Sequence, residues 1–513
     1  MKRRDAGTNV IERRWRSEMT YPDGMPPRDT TPMKTRHDTS RNAAALAATE
    51  TELDSAASRR RRAAARRTRA LVIRGARVID PTAKLDRVCD MLVADGKVAA
   101  IGTGRQRLTE ANAETIDAEG LILCPGLIDP HVHLREPGHE HKETIESGTH
   151  AAAVGGFSSV CCMPNTSPAI DTPELVRFVY DRAHLSARCR VFPVAAGTKG
   201  REGKEIAEIL LMHKAGAVAF SDDGDCIASA GVMSRVFAAV SQTGSAFMQH
   251  CQEPTLTQGA AMHAGTVSAR LGLGGWPRMA EEIIIERDVR LLRHLRSPCR
   301  YHAQHLSSAG SVDIIRLARR DGLPVTGEVT PHHLLLTHDA CDHYNTLAKV
   351  NPPLREKSDI AALIKGVADG TITVLGTDHA PHSAEEKSLP FEDAPMGLVG
   401  LETALPLFAE ALVGSGAISW PRLIALMTIE PARLCGLDAL GLGSIAKGQI
   451  ADLTLIDPKA KWTLDPASMV GKSKNTPFGG RRLTGRAVAT FVGGVVTHQD
   501  ASLIERSSEP TLA

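Results

Sequence analysis

The 513-residue chain lacks any apolar run long enough to cross a bilayer. Its longest nearly uncharged stretch, AAAVGGFSSVCCM at 151–163, falls well short of the roughly 20 residues a spanning helix needs. No apolar segment follows the N-terminal charges as a secretory signal requires. A soluble, cytoplasmic protein with no membrane partner is therefore expected. The ten cysteines include no Cys-x-x-Cys pair. Cys161, Cys162 and Cys251 sit in apolar, strand-like runs, so buried free thiols are expected rather than disulfides or thiolate metal sites. A large charge of one sign is also missing. Lys and Arg total 61 against 59 Asp and Glu, which gives no ground for a nucleic-acid or membrane-surface partner.

That balance hides an asymmetry. Residues 1–70 hold 17 Lys/Arg and 9 Asp/Glu, leaving the rest mildly acidic. SRRRRAAARRTR at 58–69 is a charge run on an alanine background, and residues 1–69 show neither helical nor strand period, so they are expected to be a disordered arm. The nine acidic residues argue against a transit peptide, and the lack of interleaved aromatics argues against a nucleic-acid patch. A solvated extension, or a start codon placed too early, is the reading kept. Residues 506–513 are expected to be a flexible C-terminus.

The 42% apolar content suffices for a globular interior. From residue 70, ALVIRGARVIDP and CDMLVADGKVAAIG alternate apolar and polar residues around Gly and Asp-Gly turn signals, which predicts a small antiparallel β unit. From Leu121 short apolar runs alternate with helical stretches: LILCPGLID, FSSVCCMP, RVFPVAAG, AVAFSDDG, AFMQHC, YHAQHLSS, PVTGEVTPHH and ITVLGTDHAPH. Segments between them, such as TPELVRFVYDRAHL and SVDIIRLARRDG, repeat apolar residues every three or four positions. Eight βα units in series predict an α/β fold, a TIM-type (β/α)8 barrel. After the barrel, GSIAKGQIADLTLIDP and GRAVATFVGGVVTH return to strand alternation. Residues 70–122 and 437–505 are thus expected to form one small composite β domain around a catalytic barrel at 123–436.

Reacting groups of such a barrel stand on the C-terminal strand ends. There the sequence places His131 and His133 on strand one, Asp222 and Asp223 on strand four, and His250 on strand five. Strand six offers His302 and His305, and strand eight Asp378 and His379. Residues i and i+2 of a strand share a face, so both imidazoles of DPHVHLREPG aim into the barrel mouth. Neutral imidazoles with carboxylates from other strands suit Zn²⁺. Spacing leaves open which of Asp222 and Asp223 takes part, and allows only one of His302 and His305 to enter.

In order along 70–500, the segments DPHVHLREPG, MPNTSPAIDTPE, AFSDDG, EVTPHHLLLT, NPPLRE, GTDHAPH and NTPFGG resemble the amidohydrolase superfamily, and within it the long-chain bacterial dihydroorotases. The resemblance implies two Zn²⁺ per subunit: His131, His133 and Asp378 on one, His250 and His305 on the other, and Asp223 bridging. Related hydantoinases and allantoinases bridge with a carboxylated lysine, whereas strand four here carries Asp222 and Asp223 and no lysine. The departures are small: HCQEP stands where an acidic pair is frequent, and Ala303 and Gln304 where valine or cysteine is.

The implied reaction is the reversible interconversion of N-carbamoyl-L-aspartate and (S)-dihydroorotate in de novo pyrimidine (UMP) synthesis. A metal-bridged hydroxide would attack the cyclic amide, with Asp378 as general acid and base; a purely passive ligand role for Asp378 stays open. Arg135, two residues past His133 on the same strand face, offers the substrate carboxylate a bidentate fork. By resemblance His133, Asn165, Asn351 and His382 complete the cradle, and Met396 and Gly397 lend backbone contacts. The polar segment at 383–397 is a candidate lid. A homo-oligomer is expected, with aspartate carbamoyltransferase as a partner. Two competing readings are another cyclic amidohydrolase (hydantoinase or allantoinase) and a non-catalytic subunit of aspartate carbamoyltransferase.

Overall fold

A computed structural model describes residues 70–104 and 106–503; the expected arm at 1–69 and the terminus at 506–513 lie outside the described residues. Eight parallel strands follow one another in chain order: Leu127–Val132, Phe157–Cys162, Arg190–Ala195, Ala219–Phe220, Ala246–Gln249, Arg300–Ala303, Val325–Val329 and Val374–Leu375. Each pairs with the next, and the circle closes where Val132 bridges His379 and the His133 N–H donates to the His379 carbonyl at 2.9 Å. All eight expected strands are present. The barrel forms because each apolar run buries both faces, one inside the barrel and one under a helix.

The helices end where their sequences dictate. Thr172 caps Pro173–Ser186 through the Leu175 N–H, with Pro173 in the first turn, where its missing N–H costs nothing. Ser308 caps Ala309–Arg320, which buries Val312, Ile315 and Ala318 at three-residue spacing. Gly216, at φ +113°, ends Ile209–Ala215 in the left-handed region a side chain resists.

The second sheet joins strands from both sides of the barrel. Its order runs Val495–Gln499, Arg482–Val492, Leu453–Thr463, Ile122–Pro125, Leu71–Asp80, Leu85–Ala94 and Lys97–Ile101, with Glu114–Asp117 also on Leu71–Asp80. The seam is the antiparallel register Leu453↔Pro125 through Ile456↔Ile122. Arg190 of the third barrel strand ties it to the barrel through two bonds to Asp452, 2.6 and 3.0 Å.

Two expectations change. The first β unit is mixed rather than antiparallel, because Leu71–Asp80 takes both Glu114–Asp117 and Ile122–Pro125 as parallel neighbours. Turn signals such as Asp95-Gly96 report only local hairpins; the parallel pairings depend on a return through 102–121 that no local pattern encodes. LILCPGLID is also two strands. It breaks at Gly126, where a Cβ would run into the Ser158 side chain, and the chain passes there from the composite sheet into the barrel. All ten cysteines are free thiols and nine are buried. Among the described residues, no helix is long and apolar enough to cross a membrane.

Candidate active site

Side chains from five strand ends meet at one point in the barrel mouth. His131 lies inside the first strand and His133 just past its end. Their ring centroids are 5.4 Å apart, and both present Nε2 to the same carboxylates. His131 Nε2 stands 3.4 Å from Asp223 and 3.5 Å from Asp378; His133 Nε2 stands 3.4 and 3.0 Å from them. His250 Nδ1 lies 3.6 Å from Asp223 and 2.8 Å from His305 Nε2, which is itself 3.7 Å from Asp223. All six of these residues are buried.

The pairs that spacing left open separate in space. Asp223 faces the imidazoles, while Asp222 turns away to accept from the Gly197 and Thr198 N–H groups at 2.8 and 3.0 Å and from the Thr198 hydroxyl. His305, at φ +29°, swings its ring into the cluster. His302 lies behind it against Thr326 and Glu328. On strand eight Asp378 enters the site at φ +48°, whereas His379 turns its Nδ1 to the Gly400 N–H.

The donor set suits a divalent cation. Asp223 Oδ1 is buried without a hydrogen-bond partner, yet three imidazole nitrogens stand 3.4 to 3.7 Å from it. Two groups, His131 with Asp223 and His305, and His131 with His133 and Asp378, bring one ligand atom from each residue within 4.8 Å of the others. Three of the four imidazoles hold their remaining nitrogen against an acceptor: His131 Nδ1 on Glu328 at 2.5 Å, His133 Nδ1 on Asn165 at 2.7 Å, and His250 Nε2 on Gln252 at 3.0 Å. Such acceptors fix the tautomer that leaves the inward nitrogen free to ligate.

The electrostatics follow from burial and crowding. Burial alone would lower the His131 imidazole, but the Glu328 and Asp223 carboxylates raise it well above its ordinary value. Burial likewise opposes ionisation of Asp223 and Asp378, yet the surrounding imidazoles hold both carboxyls below the usual range. His133 is lowered, because burial outweighs Asp378.

Beside the cluster the expected substrate residues form two arcs. Arg135 lies beyond the strand rather than on its face: the strand stops at Val132 and Arg135 adopts φ +62°. This turn sends its guanidinium to the Pro381 carbonyl at 3.2 Å and to His382 Nε2 at 3.4 Å. His382 Nε2 lies 2.9 Å from the Met396 carbonyl. Burial, with Arg135 and Lys142 nearby, pushes the His382 imidazole down to about 2, so it is neutral. A Cβ on Gly397 would stand 2.7 Å from that of Ala380, so only glycine fits there. Asn351 belongs to the second arc, donating to Gln252 at 3.1 Å.

The segment at 383–397 is fastened, not loose. Buried Lys349 donates to the Phe391, Glu392 and Ala394 carbonyls, and buried Lys387 to those of Pro395 and Gly397.

Sequence reading missed Glu328, Gln252 and Arg201. Arg201 donates to the Asp223 carbonyl at 2.6 Å and pairs with Asp225 at 3.2 Å, clamping the turn that carries Asp223. Glu328 had a signal: it is the one charged residue in the strand run PVTGEVT. Gln252 stood in the departure HCQEP without being read as a partner of His250, and Arg201, in a polar loop, had no signal.

A dihydro-orotase-like family model matches residues 120–311. A dihydroorotase of Pelotomaculum thermopropionicum is 46% identical over 84% of this chain and 99% of its own length. One from Streptomyces coelicolor is 45% identical over 84% and 99%. Among solved structures, an L-hydantoinase (dihydropyrimidinase) from Arthrobacter aurescens superposes with TM-score 0.75 at 28% identity, covering 84% of this chain and 96% of that one. With relatives matched almost from end to end at this identity, the chain belongs to the dihydroorotase family of cyclic amide hydrolases.

Proposed function

We propose that the chain interconverts N-carbamoyl-L-aspartate and (S)-dihydroorotate, using two zinc ions held by His131, His133, Asp223, His250, His305 and Asp378. The observation that carries this reading is the unpartnered Asp223 oxygen facing three imidazoles, with Asp378 against His133. Zinc bound there would supply Lewis acidity toward the amide carbonyl and a water acidic enough to react near neutral pH. The chain's own groups do the rest. Asp378 takes the proton from the attacking water and returns it to the leaving ring nitrogen, reversing these roles on cyclisation. Arg135 holds the ring carboxylate, the neutral His382 donates from Nε2 to the Met396 carbonyl, and Asn165 and Asn351 complete the cradle with the Gly397 backbone.

The similarity to a hydantoinase structure makes a different cyclic ureide the competing substrate, but AFSDDG on strand four holds no lysine to bridge the metals. Assays of purified protein on dihydroorotate, hydantoin and allantoin, with metal content measured beside His133→Ala and Asp378→Asn, decide the question. Zinc with turnover of dihydroorotate alone is expected. Zinc with turnover of hydantoin or allantoin moves the substrate, and neither metal nor turnover leaves a non-catalytic subunit. We further propose a cytoplasmic homo-oligomer with aspartate carbamoyltransferase as a partner, and the division into a barrel at 123–436 and a composite domain at 70–122 and 437–505.

A further inference from the structure

Glu328 is the next-to-last residue of the seventh barrel strand, fully buried. An isolated carboxylate in that position costs several kcal/mol to desolvate, so its surroundings must repay the burial. They are specific. Oε1 accepts from His131 Nδ1 at 2.5 Å and from the backbone N–H of His305 at 3.1 Å; Oε2 meets His302 Nε2 at 3.1 Å. His302 is held in turn by Thr326, 2.8 Å from its Nδ1. Strand eight makes room for this carboxylate: a Cβ on Gly376 would stand 2.8 Å from Glu328 Oε2 and 3.4 Å from the His131 Cβ. Gly376 has no left-handed φ to explain it, so the missing side chain reflects space.

One oxygen therefore touches both ends of the histidine cluster. It accepts from His131 Nδ1, which orients the ring so that Nε2 faces Asp223 and Asp378. It also pins the main chain of His305, whose φ of +29° is an unusual conformation that needs support. We propose that Glu328 is a positioning residue that sets His131 through its side chain and His305 through its backbone, so that one carboxylate aligns ligands of both metal positions, with His302 and Gly376 holding that carboxylate in place. This rests on the reading that the cluster binds divalent cations.

The test uses the full-length protein, stripped and reloaded with Zn²⁺ or Co²⁺. Zinc affinity is read by chelator competition and ligand geometry by the visible absorption of the cobalt form, with far-UV circular dichroism as the check on fold. Glu328→Leu removes both acceptors and should weaken zinc binding by about 10- to 100-fold and alter the cobalt spectrum. Glu328→Gln keeps one carbonyl for His131 or His305 and should fall between Leu and wild type. Gly376→Ala, which crowds the carboxylate without removing it, should shift the cobalt spectrum in the same sense with native dichroism, and it keeps the question answerable should the Leu variant misfold. Wild-type zinc affinity and an unchanged cobalt spectrum in folded Glu328→Gln and Gly376→Ala overturn the role of Glu328 alone. A wild-type protein that takes up no metal overturns the underlying metal reading instead.

Discussion

His133 Nε2 stands 3.0 Å from Asp378 Oδ1 across the barrel seam, and the His133 N–H bonds the carbonyl of the very next residue, His379. Side chain and main chain thus join the first and eighth strands at one place.

This contact separates two roles for Asp378. A ligand only would lose metal on substitution, whereas an acid and base would lose rate. Asp378→Asn, which keeps the shape, is expected to retain most of its zinc while turnover falls by about 10²- to 10⁴-fold. Metal analysis and steady-state kinetics on one preparation check this; parallel loss of both identifies a passive ligand.

Arg135 is a buried guanidinium whose pKa burial pulls down to about 10, so it stays charged at neutral pH. A planar fork matches a carboxylate at two points and an ammonium only at one. Arg135→Lys should raise KM for dihydroorotate by about tenfold, worth about 1.4 kcal/mol, with a smaller change in kcat. An unchanged KM removes Arg135 from the carboxylate site.

Removing the metals should abolish turnover and leave the secondary structure intact, because the barrel core is built from buried apolar side chains. A cation that binds only the folded chain stabilises it by about 2.7 kcal/mol at a hundred times its Kd. Thermal melts of stripped protein should therefore move upward with added zinc, and activity should return in step.

Asp359 tests the helical shell. It accepts from Arg278 at 2.6 to 3.0 Å, from the Ala309 N–H at 3.1 Å and from the Glu356 N–H at 3.1 Å. Burial would raise its carboxyl, but these donors, Arg278 first, lower it. A depressed carboxyl contributes stability above its unfolded pKa of about 3.9, and that contribution fades as pH falls through the folded value. Asp359→Asn should cost about 1.5–3 kcal/mol at pH 7. The gap from wild type should narrow below about pH 4, as acid-titration melts would show.

Much of this was legible in the sequence because barrel strands are continuous apolar runs and their reactive residues follow immediately. His131, His133 and His250 could be named from that rule alone, while strand eight offered Asp378 beside His379 and the resemblance chose between them. Asp223 and His305 could not, since their selection depends on the Thr198 loop that captures Asp222 and on a positive φ at His305. Arg135 was expected on the strand face because nothing local signals that pairing ends at Val132. Glu328, the one acid in its strand run, went unread because only residues past the strand ends were weighed as reactive.

The seam between His133 and His379 also orders events during synthesis. The two residues are far apart along the chain, and closing so long a loop is slow compared with local pairing. On a ribosome the histidines of the first strand emerge long before their carboxylate partner. The full set of six residues is therefore complete only once Asp378 has emerged, and a nascent chain halted before strand eight carries the imidazoles without the seam that aligns them.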